Sequence, residues 1–171
     1  MTDLADDPVT TPPAFATFDE LVLATGDRML RTAVLLTGDR HAAEDLVQSA
    51  YAQAFARRRL VSRAENPVAY TRAILTRLYL SDRRRKRVRE HQLHDNADVA
   101  AATLDPALRL SLMEALATLP PLDRAVLVLR YFHDLPVAEV ADQTGLTESA
   151  CRTRASRALA KLRAHFPGLN D

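Results

Sequence analysis

Apolar residues recur along this chain at three- and four-residue intervals, and almost nowhere at intervals of two. Phe18, Leu21, Val22, Thr25, Met29, Ala33 and Leu36 keep a helical spacing until "TGD" (Thr37 to Asp39) breaks it. Asp39 is placed to cap a second helix, on which Leu46, Val47, Ala50, Tyr51, Ala54 and Phe55 share a face. "ENPVAYTRAILTRLYL" opens a third, with Asn66 as N-cap and Pro67 in the first turn. From Glu90 to Leu104 the pattern fades into a polar, acidic, Ala-rich linker. It resumes at "DPALRLSLMEALATLPP", with Leu108, Leu112, Ala115 and Leu119 as its stripe. Leu122 to Asp134 reads as a further helix, apolar enough to be mostly buried. The expectation is an all-α chain of two small helical domains, residues 17–90 and 105–166. A linker at 91–104 joins them, and a disordered extension at 1–16 precedes them.

The last stretch, "LPVAEVADQTGLTESACRTRASRALAKLRAHF", has helix-turn-helix order. Pro136 to Thr144 forms a short helix, Gly145 permits the tight turn, Leu146 anchors it, and Thr147 caps the second helix. Winding that helix at about 3.6 residues per turn puts Cys151, Ala155, Ala158 and Leu162 inside. Ser149, Thr153, Ser156 and Arg157 then face outward, with Arg152 and Arg163 on one edge and Arg154 and Lys161 on the other. Arginines among small hydroxyl residues suit a helix entering a DNA major groove. A solvated basic helix closing a bundle is the plainer reading, and it gives no reason for Gly145, Leu146 and Thr147 to stand in this order.

Charge sharpens the picture. The net charge of the 171 residues is only +1, yet its distribution is segregated. Met1 to Leu23 holds five acids and no base, and Arg72 to Arg89 holds eight bases against Asp82. Glu90 to Asp123 is acidic again, and Gly145 to His165 is basic. Two basic blocks divided by acid point to two contact surfaces for a polyanion, which the acidic stretch shields in the isolated chain.

Other chemistries find little footing. The five histidines are scattered, "HQLH" lacks partners for a metal site, and no phosphate-cradling Gly loop or nucleophile elbow occurs. Cys151 is the single cysteine, which excludes an internal disulfide. It reads as a small hydrophobe. No cofactor, metal or catalytic role is expected. The longest apolar runs fall short of a membrane span, and the N-terminus has no signal core, so the chain reads as soluble and cytoplasmic.

"LPPLDRAVLVLRYFHDLPVAEVADQTGLTESACRTRASRALAKLR" resembles the fourth conserved region of bacterial RNA polymerase sigma factors. "HAAEDLVQSAYAQAFAR" resembles their second region. The two-region length is similar to the extracytoplasmic-function group, and "TRLYLSDRRR" and "SRALAKLR" are similar to its actinobacterial SigE-like branch. The resemblance implies a non-catalytic subunit that directs core polymerase to −10 and −35 promoter elements. It implies that Glu44, Asp45, Leu46, Val47 and Gln48 meet the clamp coiled coil of the largest polymerase subunit, while the C-terminal domain meets the flap of the second. Leu46 and Val47 are equally readable as core. Arg83, Arg84, Arg85, Lys86 and Arg87 would meet phosphates near the −10 element. Tyr79 would either stack on an unpaired base or be buried within its domain. Ser149, Arg152, Thr153, Arg154, Ser156 and Arg157 would meet the −35 element, with Arg154 directed at phosphate or a neighbouring acid. Arg77 stands where the family commonly has Asn, so no base-reading role passes to it. An anti-sigma protein, which clamps both domains in many relatives, is the remaining partner expectation. Two other readings of the residues stay open: a dimeric helix-turn-helix regulator, and an adaptor whose basic blocks bind an acidic protein.

Overall fold

Thr17 starts the first helix chemically. Its hydroxyl accepts the Glu20 N–H at 3.2 Å, and the Glu20 carboxylate reaches back to the Ala16 N–H at 2.9 Å. The computed structural model describes residues 15–89 and 105–166. The expected extension before residue 15, the linker and the side chain of Arg87 lie outside the described residues. Helix α1 (Phe18–Thr37) buries Leu21, Thr25, Met29, Ala33 and Leu36, the predicted stripe. It ends at Gly38, whose φ of 74° is the left-handed conformation and whose N–H donates to the Val34 carbonyl at 2.8 Å. Asp39 then caps α2 (Arg40–Ala56) by accepting the Ala42 N–H at 2.7 Å.

Sequence periodicity does not show the next break. Arg57 leaves helical geometry, and a short α3 (Arg58–Arg63) follows. Asn66 accepts the Ala69 N–H at 3.0 Å and opens α4 (Pro67–Arg89), so the basic block is helical as expected. Helices α1, α2 and α4 pack together through Leu36, Ile74 and Leu75, with Ala43, Ala50 and Ala54 fully buried where α2 comes close. Each buried aliphatic of this kind contributes about 1.5–3 kcal/mol.

In the C-terminal half, α5 (Pro106–Ala117) and α6 (Pro121–Leu127) lead into a π-helical turn, Val128–Phe132. The sequence reads Leu122 to Asp134 as one regular helix; instead the His133 N–H donates to the Val128 carbonyl, five residues back. Asp134 follows with φ of 52°. Helix α7 (Val137–Thr144) and α8 (Glu148–Ala164) complete the chain. The apolar run of α6 is used on three sides. Ala125 and Val128 join the core of the N-terminal bundle, and Val126 and Leu129 pack with Val140, Cys151 and Ala155. Leu127 meets Leu116, Leu119 and Ala158. That explains why "AVLVL" shows no polar face. It also shows that the two halves share a core and are packed against each other.

Gly38 serves this packing twice. A Cβ there would lie 3.3 Å from Arg124 Nη2, besides being strained by the positive φ. Gly38→Ala is therefore expected to lower stability by about 1–2 kcal/mol, read as a reduced urea midpoint at unchanged m-value.

Candidate nucleic-acid interface

Gly145, at φ of 72°, ends α7, and both its N–H and that of Leu146 donate to the Ala141 carbonyl. Leu146 packs against the core beneath, and the Thr147 hydroxyl accepts the Ala150 N–H at 3.1 Å. These three residues fix the exit angle of α8, as their order implied. Cys151, Ala155 and Ala158 are buried, so the opposite face is held outward: Ser149, Arg152, Thr153, Ser156 and Arg157 are all exposed. Arg152 pairs with Glu148 one turn back, a solvent-exposed contact that a stronger anion displaces at little cost. Thr153 donates its hydroxyl to the Ser149 carbonyl. Arg154 differs from its neighbours. It is half-buried and holds Asp123 at 2.6 Å, tying α8 to α6. Of its two expected partners, phosphate or acid, this conformation provides the acid.

The second basic surface is the end of α4. Arg84, Arg85 and Lys86 are exposed. Arg83 turns inward and donates to the Thr37 carbonyl at 3.1 Å, with its guanidinium 5.7 Å from the Tyr79 ring centroid. Tyr79 is only 3% exposed and sits in the core, so in this conformation its ring is not offered to a base. On α2, Asp45 and Gln48 are exposed, and Glu44 is held by Arg40 at 2.9 Å. Leu46 and Val47 are half-buried against the core. The residues expected to meet polymerase therefore present a polar ridge over a partly covered aliphatic pair.

Sequence reasoning missed a set of residues joining the halves. Arg124 crosses from α6 to donate Nε–H to the Leu35 carbonyl at 2.5 Å, and burial takes its guanidinium down to about 10. Arg72 on α4 holds Glu139 on α7 at 2.8 Å. His133, one of the five scattered histidines, is buried with Nε2 2.8 Å from the Thr32 hydroxyl. Thr32 gives its one hydrogen to the Arg28 carbonyl, so His133 must be the donor, and its Nδ1 is left bare. No periodic signal marks these positions, because each depends on a neighbour about 67 to 101 residues away in sequence.

His133 makes the packing sensitive to acid. Burial, then the nearby Arg72 and Arg28, lower its pKa to about 3; Glu139 faces the same region through its pair with Arg72. A depressed histidine supports the folded form fully above its unfolded pKa of about 6.5, and that support is lost as pH falls toward 3. Unfolding free energy is expected to fall by about 1.4 kcal/mol between pH 7.5 and 5.5, above the carboxylate range. His133→Gln should flatten this slope in urea titrations at the two pH values.

Among the described residues, no group of three His, Cys, Asp or Glu side chains is placed to hold a metal ion, and no helix is long and apolar enough to cross a membrane.

Comparison with known proteins agrees with this architecture. Residues 21–89 match the Sigma-70 region 2 family, and residues 109–162 match Sigma-70, region 4. The RNA polymerase sigma-E factor of Streptomyces antibioticus is 32% identical over 149 residues, covering 85% of this chain and 82% of that protein. The ECF RNA polymerase sigma factor SigE of Mycolicibacterium smegmatis is 32% identical over 164 residues, covering 90% of this chain and 63% of its own. Among solved structures, the sigma factor RpoE of Bartonella quintana, crystallised with the anti-sigma factor NepR, superposes with a TM-score of 0.74 at 20% identity. That alignment covers 90% of this chain and 98% of RpoE.

Proposed function

Since the chain belongs to the extracytoplasmic-function group of sigma-70 factors, which support promoter-specific initiation with RNA polymerase, we propose a specific division of labour among its surfaces. Residues 17–90 bind core polymerase and the −10 element, and residues 105–166 bind the −35 element. On α2, Glu44, Asp45, Leu46, Val47 and Gln48 dock on the clamp coiled coil of the largest subunit, and the C-terminal domain rests on the flap of the second. Arg84, Arg85 and Lys86 neutralise phosphates without reading sequence, so their contribution weakens with salt. On α8, Arg152 and Arg157 reach guanine edges, while Ser149, Thr153 and Ser156 let the helix approach the groove closely. The protein acts in the cytoplasm as a non-catalytic subunit, and a relative's crystallisation with an anti-sigma factor supports such a partner here.

The observation carrying this reading is the α8 face, where hydroxyls and arginines are exposed while Cys151, Ala155 and Ala158 anchor the helix from behind. Reconstituted run-off transcription tests it. Core polymerase with this chain, on genomic fragments, should give discrete start sites that neither component gives alone. Asp45→Lys should reduce both assembly with core and transcript yield, without changing the chain's melting temperature.

A further inference from the structure

Asp123 and Arg154 make a contact that packing alone does not require. Helix α6 already carries α8 on apolar side chains: Val126 lies in one cluster with Cys151 and Ala155, and Leu127 in another with Ala158. Beside these, the Asp123 carboxylate accepts from Arg154 Nη1 at 2.6 Å, with the Asp123 side chain 12% exposed and that of Arg154 41% exposed. A carboxylate so far out of water is costly to place, and an arginine so open to water offsets little of that. As a staple between two helices, an apolar residue at position 123 would serve as well. What an apolar residue cannot do is hold a guanidinium at one point and in one direction.

Arg154 stands about 60° around α8 from Arg157 and about 20° from Lys161. Arg154 and Lys161 therefore run along one border of the outward face, and Arg152 and Arg163 along the other. Arg152, Arg157, Lys161 and Arg163 are exposed. A helix seated in a major groove has a phosphate strand on either side, and phosphate contacts set its register and orientation there. Arg152 is held by Glu148 of the same helix, which moves with it, whereas Arg154 is held from α6. The position of Arg154 is thus referred to the body of the domain. A guanidinium has five N–H donors in a planar fork. The bond to Asp123 uses Nη1, and a side chain so open to water has further donors to offer.

We propose that Asp123 is a positioning residue that determines specificity. It aims Arg154 at a phosphate beside the −35 element, and so fixes the rotation at which Arg152 and Arg157 meet base edges. Acid and phosphate are then simultaneous partners of one guanidinium. The carboxylate sets the Arg154 rotamer before DNA arrives, so less side-chain freedom is lost on binding. When the aim is lost, α8 turns in the groove and its bidentate contacts lose alignment, although the charges facing the phosphates remain. The inference rests on the reading that α8 enters the groove at the −35 element. It adds Asp123, a residue of α6 that touches no DNA, to those deciding which sequence is read.

The test uses the full chain assembled with core polymerase and two fluorescein-labelled duplexes: a promoter found by run-off, and a copy with its −35 element scrambled. Asp123→Asn keeps the size of the side chain and removes its charge. It should lower the affinity ratio between the duplexes about tenfold, the size of one misaligned bidentate contact. Assembly with core and the salt slope on the scrambled copy should stay as in the parent. Arg154→Gln should weaken binding to both duplexes and reduce the salt slope by about one phosphate. Arg154→Lys, which keeps the charge without the planar fork, should keep the slope and lose discrimination as Asp123→Asn does. An Asp123→Asn holoenzyme that discriminates like the parent overturns the proposal. So does an unchanged slope in Arg154→Gln. So does an Asp123→Asn variant that binds both duplexes more tightly with a steeper slope, because Asp123 would then be keeping Arg154 off DNA. Should Asp123→Asn lose helical circular dichroism, Arg154→Lys decides: a kept slope with lost discrimination supports the proposal, and full discrimination overturns it. A parent that cannot tell the duplexes apart overturns the −35 assignment together with this proposal. A discriminating parent with any of the overturning results above removes this proposal alone.

Discussion

Arg152→Ala combined with Arg157→Ala is expected to reduce core-dependent transcription from a −35-containing promoter by about a hundredfold, while leaving assembly with polymerase intact. Both side chains are exposed on α8, so removing them opens no cavity, and thermal stability should change by no more than about 0.5 kcal/mol. A bidentate arginine–guanine contact contributes about 1–3 kcal/mol of discrimination, and two of them give the stated loss. The Arg152–Glu148 pair offsets little of this, because both partners are solvent-exposed. Quantified run-off product on one template, with gel-filtration of the polymerase complex, checks both halves. Full transcription from the double variant would show that α8 does not read the promoter.

Leu129→Ala is expected to have the largest effect on stability. Leu129 is 1% exposed, in the cluster that joins α6 to α7 and α8 through Val126, Leu135, Val140, Cys151 and Ala155. A buried leucine reduced to alanine costs about 2–5 kcal/mol, which is a large share of what a helical unit of this size possesses. The recognition helix should lose its platform while the α1–α2–α4 bundle keeps its own core. Unfolding followed by circular dichroism should change from one transition toward two. Promoter-specific transcripts should disappear although core polymerase still captures the chain.

Much of the fold was readable because the decisive signals are local. Asp39, Asn66 and Thr147 cap helices by bonding to an N–H three residues on, and each stands within its own short stretch. Gly38 and Gly145 adopt the left-handed conformation that their flanking patterns require. The α8 face was legible for the same reason, since period alone decides which residues oppose Cys151, Ala155 and Ala158. The break at Arg57 carried no glycine or proline to announce it. The π turn at Val128–Phe132 begins inside the apolar run Ala125 to Leu129, where every position is buried and no polar edge reveals the local pitch.

The amino-acid order alone settled an all-helical chain, the positions of its caps and turns, and the outward arginine and hydroxyl face of α8, because these depend on residues a few positions apart. Tertiary structure alone decided that Arg83 and Tyr79 turn inward, that Arg154 is held by Asp123, and that Arg124, Arg72 and His133 join the two halves. Those outcomes depend on which side chain a folded neighbour brings within bonding distance, and periodicity has no term for a partner 31 to 101 residues away.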